Sequence, residues 1–378
     1  MSQTALLTRE PVVNKKRAIT ANRLVAHGPS IASVVETLNA ANEYWPEQYA
    51  VFLSLGRLIP TPELMGWQAP ANAHIEIPVQ TLGHPQTQAL LPLLQEAGIG
   101  MCLTWFTKGV ALPPEANWRF VLIDGRKHPT PDGSPGLSLA WGLPDVPAFK
   151  KAVAAGYDGA SGWFFLHGNP PAKELSPNHA QIIRLLNMVR NNGEIRDIEN
   201  VLKQDVALSY KLLRYINSAS FGLMVEIQSF RHAVSILGYD KLHKWLSLLL
   251  VTASRDPGAP AMMQTAITRG RFMEQIGSGF FDEAACGNLF IVGAFSMLNI
   301  LLGASMETLL EEMVLPEPIT DALLYDEGDY APFLRLARSC ESFDPGALVK
   351  AADELHVAPE QINRAQLTAL GFADSLQT

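Results

Sequence analysis

Residues 205–222 read DVALSYKLLRYINSASFG, and this stretch decides the fold of the second half of the chain. Asp205 stands where a helix N-cap belongs, and Gly222 permits a sharp departure at the other end. Lys211 and Arg214 lie near the C-terminal end, where cations interact favourably with the helix dipole. The pattern predicts a well-capped amphipathic helix, although periodicity alone reports burial and not function. Its apolar stripe comprises Val206, Leu208, Leu212, Leu213 and Ile216.

The order of residues in this helix resembles the signature helix of HDOD domains. An acidic residue is followed by an apolar run that ends in L-L-R-x-x-N-S-A-x-F-G, and residues 230–242 match the next segment of that family with FRHAVSILGYDKL. The resemblance covers roughly residues 173–372. HDOD domains are helical relatives of the HD and HD-GYP hydrolases that have usually lost the catalytic metal site. The resemblance implies an HD-like all-helical domain that binds signalling proteins, with an interaction surface starting at Asp205, Arg214, Asn217 and Ser218.

The chain divides where its pattern changes. A length of 378 residues exceeds the usual size of one domain, so two are expected. Up to residue 171 short apolar runs alternate with helical ones, and beyond Asn169-Pro170-Pro171 every periodic segment is helical. The predicted helices of this second half are 177–190, 195–203, 205–217, 230–237, 242–253, 261–276 and 284–302, with shorter ones from residue 305 onward. We predict an N-terminal tail over residues 1–17, an α/β domain over 18–171 and a helical domain over 172–378.

The α/β half is predicted to form a trimmed barrel. Strands that alternate with helices indicate a parallel sheet covered on its outside, as in a barrel or a doubly wound fold. About 150 residues is short for a complete eight-fold barrel, which typically takes about 250. The predicted strands are 23–27, 50–55, 74–77, 100–106, 120–123, 137–141 and 162–166, and the predicted helices are 31–44, 85–97 and 146–155.

Composition and charge exclude several classes of function. The net charge of −8 and the isoelectric point near 5.6 argue against broad nucleic-acid binding, which needs a basic surface. Cys102, Cys286 and Cys340 stand apart in apolar surroundings and suit buried thiols in a reducing compartment. No signal peptide is visible, and the apolar runs 245–253 and 289–302 are shorter than the roughly 20 residues that cross a bilayer. A cytoplasmic protein without membrane contact is expected.

Several blocks of the first half resemble EAL domains, the barrels that hydrolyse cyclic di-GMP. The clearest are HIEIP, which contains Glu76, then QEAGIGMCLTWF, FVLID and AAGYDGASGWFFLHGNP. The resemblance implies two divalent cations held on strand ends by carboxylates and an asparagine. Hard cations need such oxygen ligands, and two of them clamp the attacking and leaving oxygens of a phosphodiester.

Most of these family positions carry other residues here, so the resemblance implies that Glu76 and Asp124 are vestigial ligands. Two carboxylates cannot hold a two-metal site, so no metal is expected. From the residues alone, Asp124 before Gly125 suits a turn, and Glu76 is either a buried relic paired to a cation or, preferred, an ordinary exposed residue. At the family's ligand positions this chain has other residues: Asn22-Arg23-Leu24 in place of the Glu-Ala-Leu motif, Ser54 in place of an asparagine, Thr104-Trp105 in place of two aspartates, Leu122 in place of a lysine, Pro144 in place of a glutamate and Ser161 in place of a glutamine.

The helical half also lacks the residues of a metal hydrolase. An HD site needs a histidine followed by an aspartate, and the chain contains no His-Asp dipeptide. Where hydrolytic relatives read G-L-L-H-D-I-G, residues 293–299 read GAFSMLN, with Ser296 and Met297 in place of the ligands. His232 and His243 are expected to be core or surface histidines on helices.

These observations lead to the interpretation of a cytoplasmic signal-transduction adaptor. A catalytically inactive EAL-like domain would precede an HDOD domain that binds unidentified signalling proteins, with no cofactor and no enzymatic activity. Two alternatives remain open: a sensor that binds cyclic di-GMP without cleaving it, and a weakly active cyclic di-GMP phosphodiesterase.

Overall fold

The computed structural model describes residues 4–114, 116–167, 177–203, 230–252, 259–342 and 344–376. The chain forms two compact units. The barrel unit comprises Met1–Gly168 and Ser339–Gly371, and the helical unit comprises Asn169–Arg338 and Phe372–Thr378. The predicted signature helix lies outside the described residues. The same holds for its four candidate interaction residues, Asp205, Arg214, Asn217 and Ser218.

Eight strands close into a barrel, with each strand next to its neighbours in the sequence. β1 runs antiparallel to both β2 and β8, and all other neighbouring pairs are parallel. The prediction of a barrel followed by a helical region is therefore confirmed. The strands are β1 (Leu6–Asn14), β2 (Ile19–His27), β3 (Ala50–Ser54), β4 (Ala73–Pro78), β5 (Gly100–Thr104), β6 (Trp118–Asp124), β7 (Leu137–Trp141) and β8 (Gly159–Ser161).

Two details of the barrel differ from the prediction. Residues 1–17, expected to be a tail, contain β1, whose residues are buried from Leu6 to Val13. Its central Arg-Glu-Pro sequence hides the strand pattern, because charged residues and proline are unusual between two paired strands. The last strand is β8, and the predicted strand 162–166 is instead a bend followed by the 3-10 helix Phe164–Leu166.

The barrel has all eight strands but only a few of the helices that usually connect them. Three α-helices cover it between strands, namely α1 (Ile31–Ala41), α2 (Pro85–Glu96) and α3 (Val146–Ala154). Ser30 and Asp145 cap α1 and α3 by accepting backbone N–H groups of the first turn. The remaining connections are loops and 3-10 turns, which is how eight strands fit into about 160 residues.

The helical unit is built on apolar helices that lie close to their predicted positions where the structure describes them. Two details differ: the predicted helix 284–302 is divided into Glu283–Phe295 and Leu298–Leu302, and the predicted helices 230–237 and 242–253 form one kinked helix. The helix α6 (Phe230–Thr252) contains a kink at Gly238, whose φ of 74° is outside the helical region. The helices α7 (Ala259–Gly277) and α8 (Glu283–Phe295) cross closely where Gly270 faces Gly293. The helices are α4 (Pro177–Arg190), α5 (Ile195–Lys203), α6 (Phe230–Thr252), α7 (Ala259–Gly277), α8 (Glu283–Phe295), α9 (Leu298–Leu302), α10 (Met306–Glu311), α11 (Glu317–Leu324) and α12 (Ala331–Ser339).

Two further helices, α13 (Pro345–Glu354) and α14 (Pro359–Ser375), fall largely within the barrel unit. Asn363 in α14 holds the backbone at the start of β1, donating to the Ala5 carbonyl at 2.7 Å and accepting from the Leu7 N–H at 3.0 Å. Gln366 donates to the Leu7 carbonyl at 2.7 Å. The sequence predicts one helical domain over 172–378. In the structure, Ser339–Gly371 of this range belongs to the barrel unit. No helix in the described ranges has the length and apolar character that a membrane crossing requires.

Candidate functional site

A charged layer lies inside the barrel, near the carboxyl ends of its parallel strands. The barrel interior holds an apolar cluster that includes Ala21 of β2 and Val12 of β1. Arg23 lies two residues after Ala21 in β2. Because side chains alternate along a strand, Arg23 also points into the barrel, one layer closer to the carboxyl ends of the parallel strands. β1 runs the opposite way, so Glu10 precedes Val12 and reaches the same layer. Glu76 of β4 completes this layer.

Arg23 binds both carboxylates. Its Nε and Nη2 donate to the two oxygens of Glu76 at 2.5 and 2.8 Å, and its Nη1 donates to Glu10 Oε2 at 2.7 Å. The hydroxyl of Ser161 on β8 donates to the same Glu10 oxygen at 3.4 Å. A guanidinium fork bound to both oxygens of a carboxylate is the strongest form of such a pair. Glu76 therefore has both oxygens engaged.

The layer carries one more negative charge than positive charge when all three groups are ionised. Burial raises the pKa of Glu10, and Arg23 only partly offsets this effect. Burial also acts to lower the pKa of Arg23, but the charges and hydrogen bonds of Glu76 and Glu10 outweigh it and raise that pKa. Glu10 Oε1 is buried without a hydrogen-bond partner. The guanidinium is thus firmly charged, and Glu10 takes up a proton more readily than an exposed glutamate does.

The preference for an exposed Glu76 was wrong. Glu76 is 2% exposed and paired to a cation, which is the other alternative that the residues left open. Arg23 and Glu10 were not predicted as site residues. A signal for Arg23 exists, because this arginine begins the predicted strand 23–27, directly before Leu-Val-Ala, and a buried arginine requires counter-charges. Glu10 gives no such signal, since the sequence predicts a tail over residues 1–17.

Asp124 lies at the rim of the barrel and binds the residues that follow it. Its Oδ1 accepts the backbone N–H of Arg126 at 3.1 Å, and its two oxygens accept Nε and Nη2 of that arginine, each at 2.9 Å. These side-chain hydrogen bonds hold the pKa of Asp124 below its usual range. The turn role that the sequence suggests for Asp124 accords with this geometry. Among the described residues, no hydrogen bond or ion pair joins Asp124 to Glu76.

Aromatic side chains fill the space above Arg23. Trp105 and Trp141 pack edge to face with their ring centroids 4.7 Å apart, and the Arg126 guanidinium lies 5.1 Å from the Trp141 ring. The remaining cavity measures about 10 Å³, about the minimum that one water molecule requires. Trp105 has a φ of 61°, a rare value for a bulky residue. The cavity is lined by Arg23, Thr104, Trp105, Leu122, Ile123, Asp124 and Trp141.

The other positions of the EAL comparison also lie at strand ends. Ser54 ends β3, Thr104 ends β5 and Ser161 ends β8. None of the three adds a carboxylate to the layer. Among the residues that the structure describes, no three or more His, Cys, Asp and Glu side chains are grouped so that they could hold a metal ion.

An arginine also lies at the HD position of the helical unit. Ser296, which stands where hydrolytic relatives have a histidine, accepts a hydrogen bond from Arg269 Nη1 at 3.0 Å and donates to the Gly293 carbonyl at 2.7 Å. Met297, at the aspartate position, is buried. The side chains at this position are therefore a hydroxyl, a thioether and a cation, which are poor ligands for a hard divalent ion.

His243 on α6 is a core histidine, in keeping with its expected place on a helix. It is 2% exposed, and neither ring nitrogen has a hydrogen-bond partner. Burial, aided by the positive charge of Arg190, lowers the pKa of His243 to about 4. The ring is therefore neutral at physiological pH.

Replacing His243 with glutamine is expected to remove much of the acid sensitivity of the helical unit. The folded pKa of about 4 lies below the ordinary value of 6.5, so the unfolded chain takes up the proton first as the pH falls. Stability is lost between about pH 6.5 and pH 4, by up to about 3 kcal/mol. Urea unfolding at pH 7 and pH 5 measures this difference. His356→Gln, at an exposed histidine, is the control, and an equal pH dependence in the His243 variant and wild type would contradict the prediction.

Comparison with known proteins adds three matches. The family model of the HDOD domain matches residues 175–293. The chain is 31% identical over 200 residues to the protein named cyclic di-GMP phosphodiesterase CdgJ of Vibrio cholerae, a match that covers 52% of this chain and 46% of that protein. It is 24% identical over 199 residues to the uncharacterized protein YuxH of Bacillus subtilis, covering 51% and 48%. The chain thus matches less than half the length of each of these curated relatives.

A solved structure gives a more distant likeness. The Klebsiella pneumoniae protein BlrP1, in a complex with manganese and cyclic di-GMP, shares 11% sequence identity and a TM-score of 0.34. The match covers 43% of this chain and 56% of that one. A likeness at this level carries no functional argument.

The similarity to CdgJ corrects one expectation. The sequence analysis predicts a chain without enzymatic activity, and this prediction is contradicted by a relative at 31% identity that is named a phosphodiesterase. The missing ligand positions therefore do not suffice to exclude catalysis. The fold itself is established: the chain combines a closed eight-stranded barrel with a helical region that contains an HDOD domain at residues 175–293.

Proposed function

We propose that this chain is a signal-transduction protein of cyclic di-GMP signalling, in which the HDOD domain binds partner proteins. The observation that carries the proposal is the HDOD match at residues 175–293, joined to the similarity with CdgJ. In this proposal the barrel is related to EAL domains, and the partner surface begins at the signature helix, with Asp205, Arg214, Asn217 and Ser218. These four residues lie outside the described part of the chain.

The barrel geometry supports the assignment of partner contacts to the helical region. The cavity that Arg23, Trp105 and Trp141 line measures about 10 Å³, far below the roughly 300–1,000 Å³ of small-molecule sites, so a dinucleotide held there requires the rim to move. A sensor that holds cyclic di-GMP inside the barrel would require that movement. An adaptor surface on the HDOD domain does not.

A second candidate is a metal-dependent phosphodiesterase in the barrel, favoured by the name of CdgJ. Glu76 lies near the carboxyl ends of the strands, where barrel enzymes place their catalytic residues. A divalent ion at Glu76 competes with Arg23, which binds both carboxylate oxygens. This candidate therefore needs Arg23 to release Glu76 when metal and substrate bind.

A reporter of cyclic di-GMP in bacterial cells tests the proposal and separates the two candidates. Expression of the chain is expected to change the reporter signal. Under the docking proposal, Arg214→Ala in the signature helix abolishes the change and Glu76→Gln preserves it. Under the phosphodiesterase candidate, Glu76→Gln abolishes the change, and purified wild-type protein hydrolyses cyclic di-GMP with manganese.

The matched control is Arg196→Ala, which removes an arginine from α5, a neighbouring helix of the same unit. Equal amounts of folded protein must be verified for every variant by its far-ultraviolet circular dichroism. A reporter signal that wild-type expression leaves unchanged would argue against any role in cyclic di-GMP signalling. A change that survives both Arg214→Ala and Glu76→Gln would exclude both proposed sites.

A further inference from the structure

The helical unit contains a cavity of about 800 Å³ whose described walls come from α4, the second half of α6, α7, α8 and the end of α14. This volume is within the range of small-molecule sites. The cavity is lined both by exposed residues, among them Asp240 and Lys241, and by the buried His243. It therefore connects solvent with a polar group in the core.

The inner wall carries more positive charge than negative charge. Lys244 and Arg271 both bind the carboxylate of Glu274, with Arg271 Nη1 2.7 Å from its Oε2. One carboxylate cannot neutralise two cations. Arg190 adds a third cation to the wall and has no ion-pair partner among the described residues. With Glu274 included, these four groups sum to a charge of +2.

The acidic residues of the cavity other than Glu274 lie at its exposed rim. Glu283 pairs with Lys241, with the Lys241 Nζ and Glu283 Oε1 3.0 Å apart, and both side chains are more than half exposed. Asp240 is also exposed. Solvent screens these rim charges far more than the buried ones, so they offset the inner positive charge only weakly.

Several donors in the cavity wall have no acceptor. His243 is 2% exposed with both ring nitrogens unpartnered, and the Nε of Arg271 is buried without a partner. Gly238 interrupts α6, so that a new helical stretch begins at residue 239, and its first residues line the cavity. The first backbone N–H groups of a helix lack intrahelical acceptors and attract anions. Unpartnered buried donors of this kind are rare unless a ligand or water meets them.

We propose that this cavity binds a small phosphorylated molecule of the size of a nucleoside monophosphate. A phosphate monoester carries a charge of about −1.5 to −2 at pH 7, which matches the surplus of the inner wall. Arg190 and Arg271 bind the phosphate together with the helix start at residue 239, and His243 donates one neutral hydrogen bond. Trp245 and Phe372 supply an apolar surface for a planar group.

Calorimetric titration of the full chain tests this proposal with three probes: GMP, inorganic pyrophosphate and guanosine. GMP and pyrophosphate are expected to bind, and guanosine, which lacks the phosphate, is expected to bind at least 100-fold more weakly than GMP. Binding that weakens as salt rises supports the charge argument. Failure of both GMP and pyrophosphate to bind at 10-millimolar concentration, taken as an order of magnitude for weak anion sites, overturns the proposal.

Two variants locate the site. Arg190→Gln removes the unpaired cation, and Gly287→Leu fills the cavity from α8 at a position where an added Cβ meets no atom within 4 Å. Each is expected to weaken GMP binding at least tenfold while the melting temperature without ligand stays close to wild type. Gly279→Leu is the matched control, at a glycine of the same unit outside the cavity wall. Unchanged GMP affinity in either test variant overturns the proposal.

Discussion

Replacing Arg23 with methionine is expected to destabilise the barrel unit by about 3–5 kcal/mol, the range for removing one partner of a buried ion pair. The side chain of Arg23 is the only cation that the described contacts place on both Glu10 and Glu76. Without it two carboxylates share a water-poor interior, and at least one must take up a proton. Urea unfolding at pH 7.5 measures the loss. The loss is expected to shrink as the pH is lowered, because burial raises the pKa of Glu10 and its protonation relieves the repulsion.

Two further variants control this prediction. Arg126→Met removes an arginine whose side chain is about half exposed and whose partner is Asp124, so a much smaller loss than in Arg23→Met is expected. Combining Arg23→Met with Glu10→Gln and Glu76→Gln removes the repulsion and should recover most of the stability, because neutral groups of similar shape replace the charges. A loss in Arg23→Met no larger than in Arg126→Met would show that the ion pairs do not stabilise the barrel.

Replacing Gly293 with leucine is expected to destabilise the helical unit by about 3 kcal/mol, at the upper end for overpacking. A Cβ at this position lies 2.6 Å from the Gly270 backbone, so α7 and α8 must separate. The neighbouring Phe290 carbonyl lies equally close to a Cβ at Gly270, at 2.7 Å, which leaves little room for relaxation. The two glycines thus set the distance between the helices.

Gly287→Leu is the matched control for this crossing. It lies on the same helix, α8, but an added Cβ there meets no atom within 4 Å. Its stability is expected to equal or exceed that of wild type, since leucine favours a helix over glycine by up to about 1 kcal/mol. Thermal unfolding of the two variants compares them directly. Equal melting temperatures for Gly293→Leu and Gly287→Leu would refute the close crossing.

The sequence predicts the barrel and the described helices well because their apolar patterns are regular. α4 and α5 match their predicted bounds, and the strands from β3 to β7 match within a few residues. β1 escapes prediction because its three central residues break the pattern. Its pairing with β2 and β8 becomes visible only when the barrel closes. Local propensity cannot report a strand that long-range pairing stabilises.

The candidate sites show the same limit. The sequence shows which metal-ligand positions of the EAL family are replaced, among them an aspartate position that holds Trp105. The bulk of that side chain explains why the cavity above Arg23 is small. The ion pairs of Arg23 are not readable, because Glu10 lies 13 residues and Glu76 lies 53 residues away in the chain. The unpartnered ring of His243 likewise depends on which helices surround it. The sequence also identifies Glu76 and Asp124 as the remaining ligand positions and predicts no enzymatic activity. The similarity to CdgJ contradicts that prediction.

A manganese titration followed by electron paramagnetic resonance tests most directly whether Arg23 holds Glu76 in place of a metal ion. Wild type and Arg126→Met are expected to bind manganese weakly. Arg23→Met is expected to bind it at least tenfold more tightly, because the guanidinium no longer competes for the Glu76 oxygens, and this gain is expected to be lost when Glu76→Gln is added. Equal manganese affinity in wild type and Arg23→Met would contradict this role of Arg23.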